Sequence, residues 1–459
     1  MTVVHSSDIK SEEMALAPES NMKWTVHVEV RMRQRATARF ETIQNRVNEF
    51  LQSSFERFTL PSVLTGWEEV PELASSVERI IVAESACPMS SLRLEDMSLQ
   101  IHVYQTSDSD PFEEYSSFNN SGSSGEDDTM AASVCELPNQ NLDGLWDSLI
   151  YADDIKLKLL DYIHATLVFS DANVDFNLIS WNRVVLLHGP PGTGKTSLCR
   201  ALAQKLSIRL SRRYPNSRLL EINSHSLFSR WFSESGKLVQ RLFSSITELV
   251  EEEDTFVVVL IDEVESLTAA RAGAMAGTEP SDGLRVVNAL LTQLDKLKHR
   301  KNVLIMSTSN LAKAIDSAFV DRADIVQYVD LPPREAIYDI LRTCLCEIIS
   351  KGIIAPATIP TFKQAQLHEL SSDTKSLSLL SSASSTTHDI SKSLALRLLA
   401  LSTECRKQGL SGRALRRLPV LALARHIGKC ATTGVHVASW LDGLEKVVSE
   451  KAAASEKLI

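Results

Sequence analysis

Paired cysteines are scarce in this chain. Its 459 residues include seven cysteines, an odd number spread from Cys87 to Cys430, and no CxxC pair. Disulfide frameworks and structural zinc sites depend on cysteines at characteristic paired spacings. We therefore predict reduced, buried thiols in an intracellular protein, in preference to a disulfide framework or a zinc site.

Long apolar stretches are also missing, and the first residues do not have the pattern expected of a cleavable leader. The apolar run 256–261 is far shorter than the ~20 residues that a membrane-spanning helix requires. Residues 1–16 are polar and carry Asp8, Glu12 and Glu13, unlike a secretory signal or an Arg-rich transit peptide. We expect no direct membrane contact, and a location in the nucleus or the cytoplasm.

An excess of positive charge is absent as well. Lys and Arg number 48 against 58 Asp and Glu, so the formal net charge is −10. A protein that binds nucleic acid through its overall charge normally presents a basic surface. We therefore expect no direct sequence-specific binding to nucleic acid. The composition is that of a globular chain, and the length suits about three domains.

Residues 22–105 have the pattern of a small α+β domain, preceded by a disordered N-terminus at residues 1–21. Apolar residues alternate with polar ones over residues 23–33, which predicts a half-buried strand, and alternate again over residues 97–103. Between these strands, apolar residues recur at helical spacing over residues 40–51.

The next segment, residues 106–142, differs in composition. Between residues 106 and 134 there are seven acidic residues and no Lys or Arg, and residues 121–128 are Ser, Gly, Glu and Asp alone. Such a stretch cannot bury enough apolar area to fold by itself. We predict an acidic flexible linker over residues 106–142.

From residue 143 onward predicted strands alternate with predicted helices, which indicates an α/β fold with a parallel sheet covered on both faces. After Pro332 the strands stop and helical spacing continues to the end. We predict a large domain over residues 143–332 and a small helical domain over residues 333–459, with a Ser-rich loop insertion at residues 371–393. The five predicted strands are residues 183–188, 218–222, 256–261, 303–309 and 325–329.

Residues 189–196, GPPGTGKT, fit the phosphate-binding loop pattern GxxxxGK(S/T). The loop lies between a predicted strand and a predicted helix, which is the context that this pattern requires. Backbone N–H groups would surround the phosphates, Lys195 would contact the β- and γ-oxygens, and the Thr196 hydroxyl would bind Mg²⁺. The predicted nucleotide-binding residues of the loop are Gly189, Pro190, Pro191, Gly192, Thr193, Gly194, Lys195, Thr196 and Ser197.

Two carboxylates follow the apolar strand 256–261. A magnesium site needs an acid at the carboxyl edge of a strand beside the phosphate loop, and Asp262 has that position. Hydrolysis also needs a base that takes a proton from water, and Glu263 is the candidate. The alternative for both is a solvated strand cap, which the nearby phosphate loop disfavours.

Three further polar residues are candidates for the same site. Asn310 ends the strand 303–309 and could orient the attacking water, although Asn often ends strands in turns. Arg322 could stabilise transition-state charge in a neighbouring subunit, or could form a surface ion pair with Asp321 or Asp324. Arg413 lies early in a C-terminal helix and could reach the γ-phosphate.

An aromatic pair, Trp231 and Phe232, lies in a polar stretch between the second and third strands of the sheet. Two large apolar side chains in such a stretch are either anchors that pack the loop onto the core or a grip on a substrate chain. The residues alone leave both interpretations open.

This chain resembles the AAA+ ATPases, because its motifs occur in the order typical of that group. In chain order they are the phosphate loop, the strand that leads to Asp262 and Glu263, Asn310 after the next strand, Arg322, and the pair Gly412-Arg413 of the helical domain. Longer runs resemble one family more specifically, that of the pachytene checkpoint ATPase. These runs include residues 145–151, 181–191, 221–232, 262–271, 277–282, 319–325 and 410–413.

The resemblance implies a homohexameric AAA+ ATPase, with ATP and Mg²⁺ as cofactors, that remodels HORMA-domain proteins of the spindle checkpoint and the meiotic axis from a closed to an open form. It implies a comet-type HORMA adaptor, roles in meiotic recombination and chromosome synapsis, and a location in the nucleus, on chromosomes and in the cytoplasm. Asn310 would be sensor 1, Arg322 a finger acting in trans, and Arg413 sensor 2. Trp231 and Phe232 would line the central pore, and residues 22–105 would bind substrate and adaptor.

Many AAA proteins have two Arg residues near the finger position. In this chain the neighbouring residues are Val320 and Asp321, so Arg322 is the only finger candidate. Other functions also stay open. The alternatives are another AAA+ protein remodeller, a microtubule-severing or clamp-loading AAA+ ATPase, and a nucleotide-switched scaffold that binds ATP without turnover. The acidic net charge disfavours a clamp loader, and the base candidate Glu263 disfavours a scaffold.

Overall fold

The computed structural model describes residues 23–85, 87, 89, 91–109, 113–114, 132–224, 235–266, 282–311, 315–373, 387–427 and 434–456. The chain divides into two compact units, Met1–Gln105 and Thr106–Ile459. Within the described residues, no helix is both long enough and apolar enough to cross a membrane.

The first unit is an α+β domain, as predicted. Its main sheet has the strand order β3-β4-β1-β6, in which β1 is antiparallel to β4 and parallel to β6. A separate pair, β2 and β5, forms a small antiparallel ribbon. The elements are β1 (Trp24–Met32), α1 (Phe40–Ser54), β2 (Arg57–Thr59), β3 (Ser62–Leu64), α2 (Pro71–Ser76), β4 (Val77–Ser85), β5 (Ser91–Arg93) and β6 (Met97–Tyr104).

The central strand of this unit is buried on both faces. The predicted apolar face packs under α1, whose buried residues are Ile43, Val47, Phe50 and Leu51. On the other face, Glu29 is only 6% exposed and Arg31 only 7%. Arg31 Nε lies 3.1 Å from Glu78 Oε2 on the neighbouring strand. The prediction of a half-buried strand was therefore wrong for these polar positions, which lie in the middle of the sheet.

The second unit contains a seven-stranded sheet of order β13-β9-β12-β11-β10-β8-β7. The five strands from β13 to β10 are parallel, which confirms the predicted five-stranded parallel sheet, and β8 and β7 add an antiparallel edge. The strands are β7 (Glu113–Glu114), β8 (Ala132–Leu137), β9 (Val184–His188), β10 (Asn216–Asn223), β11 (Thr255–Asp262), β12 (Val303–Ser309) and β13 (Ile325–Tyr328).

Helices cover both faces of this sheet, so successive residues of each strand enter two different cores. Val257 and Val259 pack on one side, whereas Val258 and Leu260 pack on the other. This arrangement explains the continuous apolar strands in the sequence. The helices of this part are α3 (Leu145–Ser148), α4 (Ile155–Asp171), α5 (Lys195–Arg209), α6 (Ser235–Glu251), α7 (Asp282–Leu297) and α8 (Ser317–Val320).

The predicted linker over residues 106–142 was wrong in part, since both β7 and β8 lie within it and pair in the sheet. Strand β8 pairs with β10 in antiparallel register, and Ser107 forms an isolated bridge with Asn139. The Asn139 backbone also exchanges two hydrogen bonds with the side chain of Gln204, at 2.9 and 3.0 Å. Residues 132–137 therefore belong to the seven-stranded sheet, because a neighbouring strand supplies the hydrogen bonds that local composition could not predict.

Among the residues that the structure describes, five α-helices form the C-terminal helical domain, called the lid below, with Trp440 and Leu418 in its core. The predicted loop insertion at residues 371–393 was wrong at both ends, since residues 371–373 finish α10 and residues 387–393 begin α11. The residues between these two helices lie outside the described part. The helices are α9 (Arg334–Ser350), α10 (Phe362–Asp373), α11 (Thr387–Lys407), α12 (Gly412–Ala422) and α13 (Val437–Glu456).

Candidate active site

The strand order brings the predicted site residues to one edge of the sheet. Strands β9, β11 and β12 are parallel, with β12 in the middle, so their carboxyl ends meet. The phosphate loop follows β9, Asp262 ends β11 and Asn310 follows β12. This edge is where open parallel sheets bind their ligands.

Glycine is required at two points of the phosphate loop. Gly189 has a φ of +146°, and a Cβ atom there would lie 2.2 Å from the carbonyl oxygen of Val329. Gly192 has a φ of +76°, and a Cβ atom there would lie 2.7 Å from Ser411 Oγ in the lid. The glycines therefore let the loop pass close to the sheet on one side and close to the lid on the other.

Lys195 is held inside the loop. Lys195 is only 5% exposed, and its Nζ donates to the carbonyl oxygens of Gly189 and Pro190, both at 2.8 Å. Burial lowers the pKa of this ammonium, while the nearby carboxylates of Glu265 and Asp262 oppose that decrease. An ammonium has three donors. Its position is therefore compatible with contact to a phosphate in the loop.

The metal-ligand candidates lie in direct contact. Thr196 Oγ1 donates to Asp262 Oδ1 at 3.0 Å, and the Thr308 hydroxyl donates to the same oxygen. A hydroxyl and a carboxylate that converge beside a phosphate loop are the oxygen donors that Mg²⁺ prefers. The donor set therefore fits a magnesium ion.

The backbone after Asp262 makes an unusual turn. Glu263 has a φ of +59°, in the left-handed region, and the residue is exposed to solvent. Thr308 fixes one side of the turn: its hydroxyl accepts the Glu263 N–H at 3.3 Å and its carbonyl accepts the Val264 N–H at 3.0 Å. Ser224 fixes the other side, since its hydroxyl lies 2.6 Å from each of the carbonyl oxygens of Asp262 and Glu263.

Asn310 lies at the same edge and is tied to a third carboxylate. Its backbone N–H donates to Glu265 Oε1 at 3.0 Å. The other oxygen of this group, Oε2, is buried and accepts no hydrogen bond from the described residues. Glu265 therefore links the segment that follows β11 to Asn310, the residue proposed to orient the attacking water.

Arg322 forms an ion pair, although with neither predicted partner. Its Nε and Nη2 donate to the two carboxylate oxygens of Asp295 on α7, both at 2.9 Å, and this hydrogen bonding raises the pKa of Arg322. Asp324 instead accepts the backbone N–H of Asn182 at 2.8 Å. The side chains of Arg322 and Asp295 are 28% and 43% exposed, so water reaches this pair.

The lid contacts the phosphate loop directly. The Arg413 N–H donates to the carbonyl oxygen of Gly192 at 3.1 Å. Helix α12 begins at Gly412, and Ser411 caps it by accepting the Ala414 N–H at 3.4 Å. The position of Arg413 is thus fixed beside the loop by the first turn of its helix.

A cavity of about 390 Å³ adjoins the loop and was not predicted from the sequence. Its size is that of a small-molecule pocket. Segments 148–153, 192–194, 328–333 and 412–417 contribute to its wall, together with Ile155, Ser197 and Ile340. The hydroxyl of Tyr151 in this wall donates to the Gly194 carbonyl at 3.4 Å, and burial raises its pKa.

Sequence reasoning also missed Ser224, Thr308, Glu265 and Asp295. Ser224 and Thr308 lie at or next to strand ends, where short polar residues are common, and Glu265 lies three residues after β11. The predicted pore residues Trp231 and Phe232 lie outside the described residues.

Family models match three successive parts of the chain. Residues 21–109 match the TRIP13 N-terminal domain, and residues 185–331 match the ATPase family associated with various cellular activities. Residues 333–452 match the TRIP13-like AAA+ ATPase lid C-terminal domain.

Whole-chain relatives agree with these matches. The pachytene checkpoint protein 2 homolog of Gallus gallus is 45% identical over 438 residues, which are 94% of each chain. The Homo sapiens homolog is 43% identical over 447 residues, or 95% of each chain. The solved structure of C. elegans PCH-2 is 33% identical, has a TM-score of 0.70, and is matched over 94% of this chain and 99% of its own. This chain therefore belongs to the pachytene checkpoint family of AAA+ ATPases.

Proposed function

We propose that this ATPase uses ATP hydrolysis to convert HORMA-domain proteins from a closed to an open form. The observation that carries the proposal is the match to one family over an N-terminal domain, an ATPase domain and a lid, in that order. A general ATPase match would support turnover alone. The matched N-terminal domain supports a client specific to this family, and we assign it the binding of HORMA proteins and of a comet-type HORMA adaptor.

In the proposed cycle, Lys195 and the backbone of residues 189–197 bind the phosphates of ATP, and Thr196 and Asp262 hold Mg²⁺. A bound Mg²⁺ neutralises charge on the phosphate oxygens. Glu263 then takes a proton from the attacking water, because its carboxylate is exposed at the strand end, and Asn310 orients that water.

We propose that Arg322 completes the site of a neighbouring subunit in a homohexamer. Its ion pair with Asp295 is bidentate and partly exposed, and its Nη1 also donates to the carbonyl oxygen of Ala318 at 2.8 Å. To act in trans, the guanidinium would exchange these partners for a phosphate of the neighbouring subunit, and the water that reaches the pair lowers the cost of that exchange. Arg413, held on the loop by its backbone, would sense the γ-phosphate and couple it to the lid.

We assign Trp231 and Phe232 to the central pore, where aromatic rings could grip an extended client chain without reading its sequence. This assignment depends on family resemblance and on their polar sequence context. Two relatives carry the name pachytene checkpoint protein 2 homolog. We accordingly propose roles in meiotic recombination, chromosome synapsis and the spindle checkpoint, and a location in the nucleus, on chromosomes and in the cytoplasm.

Capture of a client in the ATP state tests this function. A Glu263→Gln variant should bind ATP without hydrolysing it, so we expect it to retain a purified closed HORMA protein and a comet-type adaptor on beads. Retention should be lost with ADP, and it should be lost with Lys195→Ala, which removes the cation from the phosphates. Equal retention in ATP and ADP, or none in either, would contradict the proposal.

A further inference from the structure

Ser224 is a buried residue that contacts the backbone of both active-site acids. It directly follows β10, next to the acid-bearing strand β11, and its residue is 0% exposed. Its single hydroxyl lies 2.6 Å from the carbonyl oxygen of Asp262 and 2.6 Å from that of Glu263. One buried hydroxyl thus contacts both peptide units that carry the two acids.

The backbone at Glu263 needs such support. Its φ of +59° belongs to a region that residues with a side chain rarely occupy, and that persists where surrounding contacts enforce it. Thr308 of β12 supplies contacts from one side, and Ser224 supplies them from the strand on the opposite side. The turn is therefore clamped between the two strands that flank β11.

The clamp fixes the backbone at Glu263, and with it the position and direction of the Cα–Cβ bond from which the carboxylate extends. A general base must come within about 2.6–3.2 Å, heavy atom to heavy atom, of the group whose proton it removes, or reach it through one water. We propose that Ser224 is a positioning residue for ATP hydrolysis, which holds Glu263 at the reacting water. This inference rests on the proposed role of Glu263 as the base.

The chain offers a matched control. Ser307 is also 0% exposed, lies in the neighbouring strand β12, and donates to a backbone carbonyl, that of Val185, at 3.1 Å. It differs from Ser224 in that its hydroxyl contacts neither acid. A general effect of removing a buried hydroxyl from this sheet would therefore appear in both Ser307→Ala and Ser224→Ala.

The test is a double-mutant cycle on the full chain, measuring kcat, KM and melting temperature for ATP hydrolysis without client. We expect Ser224→Ala to lower kcat ~10-fold, the effect of one lost hydrogen bond, with KM unchanged. Ser307→Ala should retain the wild-type kcat. In the Glu263→Gln background, Ser224→Ala should cause no further loss, because the positioned base is already gone.

Three results would overturn the proposal: an unchanged kcat in Ser224→Ala, an equal loss in Ser307→Ala, or a full ~10-fold loss that persists in the Glu263→Gln background. If Ser224→Ala melts below the assay temperature, Ser224→Cys replaces it, since a thiol fills the site but is a weak donor. The same loss of kcat is then expected, and a wild-type kcat would refute the positioning role. Unchanged turnover in Glu263→Gln alone would instead disprove Glu263 as the base, and with it the positioning role.

Discussion

Glu263 and Glu265 provide a sharp test of the active-site assignment, since they are two residues apart and occupy different environments. Glu263 is exposed at the end of β11. Glu265 is partly buried, and its Oε1 accepts the Asn310 N–H at 3.0 Å. We predict that Glu263→Gln lowers turnover ~10²–10⁴-fold, and that the isosteric change Glu265→Gln has a much smaller effect.

The expected magnitudes follow from these contacts. Loss of a general base typically slows a reaction ~10²–10⁴-fold, or about 3–5 kcal/mol in the activation barrier. Glu265→Gln keeps an oxygen that can accept the Asn310 N–H and loses only the charge. A hydrogen bond to a charged group exceeds a neutral one by about 1 kcal/mol, so turnover should fall less than ~10-fold.

The assay is steady-state ATP turnover at saturating ATP and Mg²⁺, combined with a nucleotide-binding titration of both variants. Glu263→Gln should retain ATP affinity, because its carboxylate is assigned to the water and not to the phosphates. Wild-type turnover in Glu263→Gln would refute the base assignment. A loss in Glu265→Gln as large as that in Glu263→Gln would refute the distinction drawn from their environments.

Three further predictions concern the cooperation of subunits in the hexamer, the grip of the pore on a client chain, and the reactivity of a buried thiol. Mixing Arg322→Ala chains with Glu263→Gln chains should recover part of the ATPase activity at interfaces that combine an intact base with an intact finger; no recovery in confirmed hexamers would contradict action in trans. Trp231→Ala should lose stimulation by the client while retaining its melting temperature, and a collapsed melting temperature would identify a core anchor instead. Burial raises the pKa of the Cys405 thiol to about 12, so this thiol should resist alkylation near pH 8 in the folded chain, and rapid labelling detected by mass spectrometry would contradict that burial.

Much of the fold was predictable because its signals are local. Three of the parallel strands, β9, β11 and β12, contain continuous apolar runs, and the end of each run is visible from the next polar residue. Strand β8 was missed for the opposite reason. It follows an acidic, Ser- and Gly-rich stretch, and its ladder is made with β10, about eighty residues later in the chain. The ion pair between the buried Arg31 and the exposed Glu78 likewise depends on strand order and not on sequence spacing.

The active site likewise contains residues that the sequence predicted and contacts that it could not predict. Its phosphate loop, acids and tip Asn were found because each follows a recognisable strand. Ser224 has no comparable signature, since its contacts with Asp262 and Glu263 join residues nearly forty positions apart. The partner of Arg322 was misjudged because Asp321 and Asp324 are adjacent in sequence, whereas Asp295 is brought into contact by the packing of α7. Tertiary contacts, more than residue types, determine these pairings.

The central claim is that ATP hydrolysis drives the conformational change of a HORMA protein. The most direct measurement follows ATP turnover and client conversion in one reaction, with purified chain, a closed HORMA protein and a comet-type adaptor. We predict that open client accumulates in proportion to ATP hydrolysed, and that both stop in Glu263→Gln. ATP turnover that leaves the client closed, or conversion that continues without hydrolysis, would contradict the account.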